Sequence, residues 1–305
     1  MKKVKVIAAI AGLVAPASLM ADTTLFGKLN ASFASIKDNG ASDEDVRMVG
    51  SRLGVKGFTP VGDGVDATYI IEAGVDLEDS TVKTDTRQGW FGLRGGFGEL
   101  RAGRQFGATK VSSAAVDLFT DQYGDYNALL ESEFTYNQTI TYINRLGPVG
   151  FAVELSGDEQ FSNTDKTLKV ADVVLNYSQD RLYAAVAMLN AKDTLKVSRV
   201  SGAYTFFEGH KVGATFEQAR PEAGGGYDAM LVSAGYQAGD TFLKAQYGTN
   251  KDKAGGKKET LLAVGADYAV GKKTTLMFEY SINKNRDHLA GDERKVAAIG
   301  VSHSF

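Results

Sequence analysis

From Asp22 to the last residue, apolar and polar side chains alternate with a period of two, in runs separated by turn-forming residues. In the first run Leu25, Gly27, Leu29, Ala31 and Phe33 fall on one face. Thr24, Lys28, Asn30 and Ser32 fall on the other, with Phe26 the exception. The arrangement returns at Ala67, Tyr69, Ile71, Ala73 and Val75, at Phe134, Tyr136, Ile140 and Tyr142, and at Ala171, Val173, Leu175 and Tyr177. It returns again at Leu276, Phe278, Tyr280 and Ile282, and closes with Ala297, Ile299, Val301, His303 and Phe305. Successive side chains of a strand point to opposite faces, so this period predicts strands with one apolar and one polar face.

Short breaks fall at 59–64, 94–98, 146–150, 178–181, 207–210, 237–240 and 270–273. Longer polar breaks alternate with them near 37–47, 78–85, 107–132, 157–167, 190–195, 219–227, 249–259 and 284–293. Fifteen connections predict sixteen strands in one domain, residues 22–305. Pro60, Pro148 and Pro221 are expected in breaks, where no ladder donor is required. A soluble sandwich would hide the apolar face, whereas a transmembrane barrel turns it to lipid and keeps the polar face around water. Short turns alternating with long loops favour the barrel. So do aromatic residues near strand ends, including Phe33, Tyr69, Tyr142, Tyr177, Tyr204, Phe206, Tyr236, Tyr268 and Tyr280, which suit interfacial girdles.

The N-terminus agrees. Lys2 and Lys3 precede an apolar run from Val4 to Met20 that ends at Ala21, so residues 1–21 read as a secretory signal peptide. Cleavage after Ala17 is the alternative, because Leu19 is large for its position. Without that segment the chain keeps 31 basic and 37 acidic side chains, a formal net of −6. An acid excess argues against a nucleic-acid partner, which would want a basic face. The chain has no cysteine, hence no disulfide and no thiolate metal site.

One stretch breaks the period. Residues 105–132, QFGATKVSSAAVDLFTDQYGDYNALLES, carry Asp117, Asp121 and Asp125 four apart and end near Glu131. A connection of this length is usually functional or disordered. Its Val, Leu, Phe and Tyr content argues against disorder, and it is expected to fold inward against the barrel wall. Turn positions also place residues opposite one another. Lys28 and Arg52 are centred on residue 40, Arg52 and Glu72 on residue 62, and Glu72 and Arg87 between Asp79 and Ser80. These four should form a row across neighbouring strands, give or take a bulge. The plain alternatives are a simple cross-strand pair for Arg52 and Glu72, and turn or cap groups of an ordinary loop for the three aspartates.

DTTLFGKLNASF (22–33), SRLGVKG (51–57), RQGWFGLRGGFGELRAGRQFG (87–107) and AAIGVSHSF (297–305) carry a resemblance to the trimeric, sixteen-stranded general-diffusion porins of the Gram-negative outer membrane. The resemblance implies an all-β transmembrane barrel whose inward third loop narrows a pore for ions and small hydrophilic solutes. It matches Lys28, Arg52 and Arg87 to a basic pore wall, and Asp117 and Asp121 to the facing loop acids. Glu72 joins the acids from the derived row. Thr135 stands where many such porins carry another wall arginine, which thins the basic side. With the net acidity, this leads us to expect a weak cation preference. Arg104 matches a subunit-interface position whose acid partner would be Glu78 or Asp79 of a neighbour; a solvated charge is the plain alternative. Trp90, Phe91 and Gly92 are candidates for packing between subunits or for a lipid girdle. Phe305 resembles the terminal signal read by the outer-membrane assembly machinery. The expected partners are thus two further copies in a homotrimer, outer-membrane lipid and that machinery.

No enzyme, cofactor or metal site is expected. His210, His288 and His303 lie in a turn, a loop and a lipid-facing strand, with no Ser and acid at matching heights. GGFGELRAG opens a strand and not a helix, so it is no phosphate loop. A substrate-specific sugar channel would want an aromatic track along the lumen, and a structural or adhesive barrel would need no inward loop.

Overall fold

The structure, a computed structural model, describes residues 22–76, 78, 83–130, 132–157 and 169–305. The signal-peptide expectation for residues 1–21 lies outside the described residues, as do Asp79 and Glu131. The strand segments begin with β1 (Asp22–Asp38), β2 (Ala41–Arg47), β3 (Arg52–Gly62), β4 (Val65–Asp76), β5 (Lys83–Gly95) and β6 (Gly98–Phe106). After the irregular stretch come β7 (Thr135–Leu146), β8 (Val149–Ser156), β9 (Val170–Gln179), β10 (Leu182–Ala191), β11 (Leu195–Thr205) and β12 (Lys211–Pro221). The chain ends with β13 (Tyr227–Ala238), β14 (Thr241–Asp252), β15 (Glu259–Gly271), β16 (Thr274–Lys284) and β17 (Glu293–Ser304).

From β3 onward each segment pairs antiparallel with the next, and β17 returns to β1 from Lys28↔Ser304 to Asp38↔Arg294. The sheet is closed. Segments β2 and β3 both pair with β1, opposite Ser32–Asp38 and Asp22–Lys28, so they share one position and the barrel has sixteen. Closure gives every strand a partner on both sides, as a strand surrounded by lipid requires.

The distribution of side chains is the reverse of a water-soluble protein. On β1, Leu25, Leu29 and Phe33 are exposed on the outside while Asn30 is buried. On β11 and β12, Val200 and Phe216 are exposed while Arg199, Ser201, Thr215 and Glu217 are buried. Tyr177, Tyr204, Tyr236, Tyr268 and Tyr280 add exposed aromatics to the same outer surface. An apolar exterior around a polar interior suits lipid outside and water inside.

Three details of the expected breaks change. The break at 37–47 is a hairpin, because Asn39 and Gly40 both take positive φ (51° and 89°), the geometry of a tight turn that matches strand twist. The interruption falls instead at 48–51, between β2 and β3. Pro60 and Pro221 lie within the last residues of β3 and β12, where a missing ladder donor costs little; only Pro148 is in a turn.

Candidate functional site

The stretch after β6 begins with a single helical turn, Ala108–Val111. Its first N–H groups have no partner within so short a helix, and two wall carboxylates accept them. Ala108 N donates to Glu154 Oε2 of β8 (3.1 Å) and Thr109 N to Asp172 Oδ1 of β9 (3.0 Å), which also accepts from Thr109 Oγ1 (2.6 Å). Arg199 of β11, wholly buried, then ties both ends of the stretch together. It donates to Thr109 O (3.0 Å) and Ser113 Oγ (2.6 Å) at one end and to Ser132 Oγ (2.9 Å) at the other, where it also forms an ion pair with Glu133 (2.6 Å). Glu217 of β12 accepts from Arg199 Nε (2.6 Å) and from Tyr227 Oη (2.6 Å). Further along, Ser233 Oγ donates to Val116 O (2.6 Å), Asn250 Nδ2 to Leu129 O (2.8 Å), and Tyr123 N to Glu279 Oε1 (2.9 Å). Gln246 Nε2 donates to Gly124 O. Every one of these strand side chains is buried on the polar face. Apolar contacts reinforce them: Val116, Leu129 and Leu130 are buried against Leu189, Val197, Leu231 and Leu261. Burying each such side chain contributes roughly 1.5–3 kcal/mol.

The far end of the stretch meets β1 and β3. Asp121 takes φ +63°, a left-handed conformation that Asp tolerates better than most residues. Its Oδ2 accepts from Lys28 Nζ (2.9 Å) and Arg52 Nη1 (2.8 Å). Its carbonyl accepts from Asn30 Nδ2 (2.9 Å), which also donates to Val49 O (2.8 Å). The interruption at 48–51 makes this approach possible. Gly50 has φ +72°, and a Cβ there would stand 2.3 Å from Asp121 Cγ. Burial raises the cost of ionising Asp121, but the adjacent Lys28 and then Arg52 outweigh it and hold its carboxyl below the usual range.

The expected row is realised in part. Lys28 does face Arg52 in the ladder. Arg52, however, opposes Gly74, and Glu72 opposes Gly54, because the turn lies at Asp63–Gly64 and not on residue 62, an offset that the bulge between Pro60 and Gly62 reduces by one residue. Arg87 is itself the extra residue of a second bulge, between the pairs Glu72↔Gln88 and Ala73↔Thr86. Freed from the ladder, it turns its Nε to Glu72 Oε1 (2.7 Å), so that pair meets as anticipated. Asp117 does not reach the basic wall. It accepts from Phe119 N (3.0 Å) and Thr120 Oγ1 (2.8 Å), which is turn chemistry. Asp125 likewise caps the 3-10 turn Tyr126–Ala128 through Asn127 N (2.8 Å) and accepts from Asp121 N (3.0 Å). Burial, then the charge of Asp117, pushes the Asp125 carboxyl up to about 7; burial also raises Asp117. Arg52, Glu72, Arg87, Lys110, Asp117 and Asp125 line a common cavity of ≈ 410 Å³.

Arg104 donates to Thr86 O (2.8 Å) and Asn137 Oδ1 (2.6 Å) and remains partly exposed. Glu78 is exposed and accepts from Met48 N (2.6 Å) within the same chain. Of the candidate packing residues, Phe91 is exposed on the outside, while Trp90 lies under the Arg101 guanidinium (4.0 Å) beside buried Gly92. Phe305 pairs with Gly27 across the closing seam, N to O 3.0 Å and O from N 3.2 Å. The sequence reading missed Lys110, Arg199 and Gly50. Lys110 approaches the ring of Phe106 (4.8 Å), whose other side chain neighbour is Arg87 (5.5 Å); it thus brings a basic group near Thr135, which pairs with Phe106. Arg199 interrupts an otherwise uncharged face of β11, which was its only signal.

A family profile described as Gram-negative porin matches residues 6–288. The chain is similar to the major outer membrane protein P.IB of Neisseria sicca, 23% identical over 363 residues with 100% of both chains covered. Its fold matches an anion-selective porin from Comamonas acidovorans with a TM-score of 0.76 at 20% identity, over 93% of this chain and 100% of that one. It also matches the trimer form of OmpT, an outer membrane protein of Vibrio cholerae, with a TM-score of 0.71 at 18% identity, over 94% and 100%.

Proposed function

The chain belongs to the Gram-negative porin family and forms a passive pore in the outer membrane; on that premise we propose that residues 107–134 fold into the lumen and form its charged constriction. The observation that carries this reading is the single carboxylate of Asp121 between Lys28 and Arg52, two residues of the polar wall. Anchors on β8, β9, β11, β13, β14 and β16 support it, since only a segment within a closed barrel reaches so many strands on their polar face. A channel and not an enzyme is part of the same proposal.

The constriction sets selectivity through its local charge. Lys28, Arg52, Arg87 and Lys110 face Glu72, Asp121 and the two acids whose carboxyls burial raises, Asp117 and Asp125. These four acids balance the four basic groups only when all are ionised, so the weak cation preference proposed for this net-acidic chain fades as Asp117 and Asp125 protonate. Diffusion through the gap favours small polar solutes, because the field across it aligns their dipoles. The test is the reversal potential of a planar bilayer under a salt gradient. Replacing Asp121 should move it toward anions and replacing Arg52 toward cations. Indifference to both, with control by outer-loop acids, would place the segment outside the lumen.

We also propose a homotrimer, residues 1–21 as an export signal, and Phe305 as the residue that assembly reads. Arg104 and Glu78, both at the surface, are the proposed contacts between copies, with Asp79 as the other candidate acid.

A further inference from the structure

The wall of β1 and β3–β6 carries a second feature, between the constriction and the turns at 62–65 and 95–98. Three basic side chains each lie over an aromatic ring on the polar face. Lys56 Nζ is 5.1 Å from the ring centre of Phe26, Arg101 Cζ 4.0 Å from that of Trp90, and Arg94 Cζ 5.3 Å from that of Phe58. The ladder registers put them in successive tiers. Lys28 and Arg52 share the constriction tier. Two residues on are Phe26 and Gly54, then Lys56, Ile70 and Trp90, then Phe58, Thr68, Gly92 and Arg101, and last Asp66, Arg94 and Glu99. Eight residues of strand cover about 27 Å, so the tiers run from the constriction to the end of the barrel that carries the short turns.

A cation packed on a ring presents its edge, not its face, to the water beside it. Arg101 commits Nη2 to Glu99 (2.8 Å) and Arg94 commits Nη2 to Asp66 (3.0 Å), which leaves each guanidinium further N–H groups. Lys56 is exposed and has no carboxylate partner among the described residues. The indole Nε1–H of Trp90 and Nε–H of Arg101 are buried donors without an acceptor among the described residues. The wall of β8, β9 and β12 differs: there the acids Glu154, Asp172 and Glu217 hold the stretch after β6. On the wall of β1 and β3–β6 a solute that has passed the constriction meets donors and rings together.

We infer that this wall is a binding track for small aromatic carboxylates, with Arg101 on Trp90 as its central site and Lys56 and Arg94 as the steps on either side. The carboxylate takes the N–H edges, and the solute ring lies against the apolar rings that the cations leave partly open. An aliphatic acid of similar charge gains only the first contact. The inference rests on the lumenal reading above, and its test keeps the two apart. Trp90 is the only tryptophan in the chain, so its fluorescence reports this one tier.

The intact protein in detergent is titrated with sodium benzoate and, separately, with sodium acetate; bilayer conductance is measured with the same two salts. Benzoate should change Trp90 emission saturably and lower the conductance, and acetate at equal concentration should do neither. Arg101→Gln should raise the half-saturating benzoate concentration about tenfold, the effect of losing one charge-assisted contact. Lys56→Gln, at an exposed residue without a carboxylate partner among the described residues, should raise it severalfold even if the Arg101 variant does not fold. No change at Trp90, equal effects of benzoate and acetate, or parent-like titration of Lys56→Gln and of any folded Arg101→Gln would each overturn the track. A chain that conducts potassium chloride without a benzoate effect keeps the constriction reading; one that titrates with benzoate but does not conduct loses that reading alone.

Discussion

The charge of one carboxylate sits at the centre of the narrow region, and its removal has a sign. Asp121→Asn keeps an acceptor for Lys28 and Arg52 but leaves two cations uncompensated. Reversal potentials should move toward anions, most clearly in dilute salt, since the Debye length falls to ~3 Å at 1 M. Stability should change by no more than about 1 kcal/mol, because both basic groups keep contact with water. Asp125 supplies the pH dependence. Its carboxyl is raised to about 7, so it gains negative charge as pH rises through that value and loses it below. Cation preference should grow from pH 6 to 8 and Asp125→Asn should flatten the change; a profile that persists in the variant would assign the titration elsewhere. The linkage follows the same sign. A folded-state value above the ordinary 3.8 means that the protonated form favours the folded loop. That contribution is complete at low pH and is lost as pH rises from about 4 through about 7. Lys28 and Arg52 were legible as facing residues because they are equidistant from residue 40; the turn at Asn39–Gly40 alone would set Lys28 against Ser51, and the interruption at 48–51 adds the one residue that brings in Arg52. The partner acid was not, since three aspartates at equal spacing look alike until Gly50 admits one of them.

Among the elements, the stretch after β6 depends on Arg199 more than on its own conformation. Arg199 and Glu217 are fully buried, and removal of one charge leaves the other without compensation. Arg199→Ala should therefore cost about 3–5 kcal/mol and release both ends of the stretch. The measurements are the temperature at which the barrel unfolds in detergent and the open-channel current noise, which should rise. Arg199→Met combined with Glu217→Leu and Glu133→Gln should recover much of the stability, because uncharged groups then replace both buried ion pairs. If the single variant were as quiet and as stable as the parent, Arg199 would not hold the stretch. Strand periodicity shows that Arg199 shares a face with Val197 and Ser201, but not that a segment some 70–90 residues away in sequence lies across that face.

For the whole molecule, closure depends on a seam where β17 meets β1. Phe305 covers Gly27 so closely that a Cβ at residue 27 would stand 2.2 Å from the Phe305 ring. Gly27→Val should thus reduce the yield of folded barrel, as should deletion of Phe305, whereas Gly40→Ser, at an open turn, should reduce it less. Equal yields from all three would separate the seam from assembly. The trimer is tested by electrophoresis: an unheated band at three times the mass, collapsing to one on boiling, is expected, with conductance steps in groups of three. Monomer mass in mild detergent would remove it.

Sequence by itself determined the strand count, the closed all-β architecture and the inverted placement of polar and apolar faces. A period of two is a local property, and its fifteen interruptions are local too. It also determined that Lys28, Arg52, Glu72 and Arg87 lie close together. Only the tertiary structure decided how they pair. Two bulges, at Val61 and Arg87, shift the registers of β3–β4 and β4–β5, and a bulge has no strict signature in the alternation it interrupts. The course of residues 107–134 was likewise decided at that level. Its anchors come from strands distant in the chain, and a contact between distant residues depends on where barrel closure brings them.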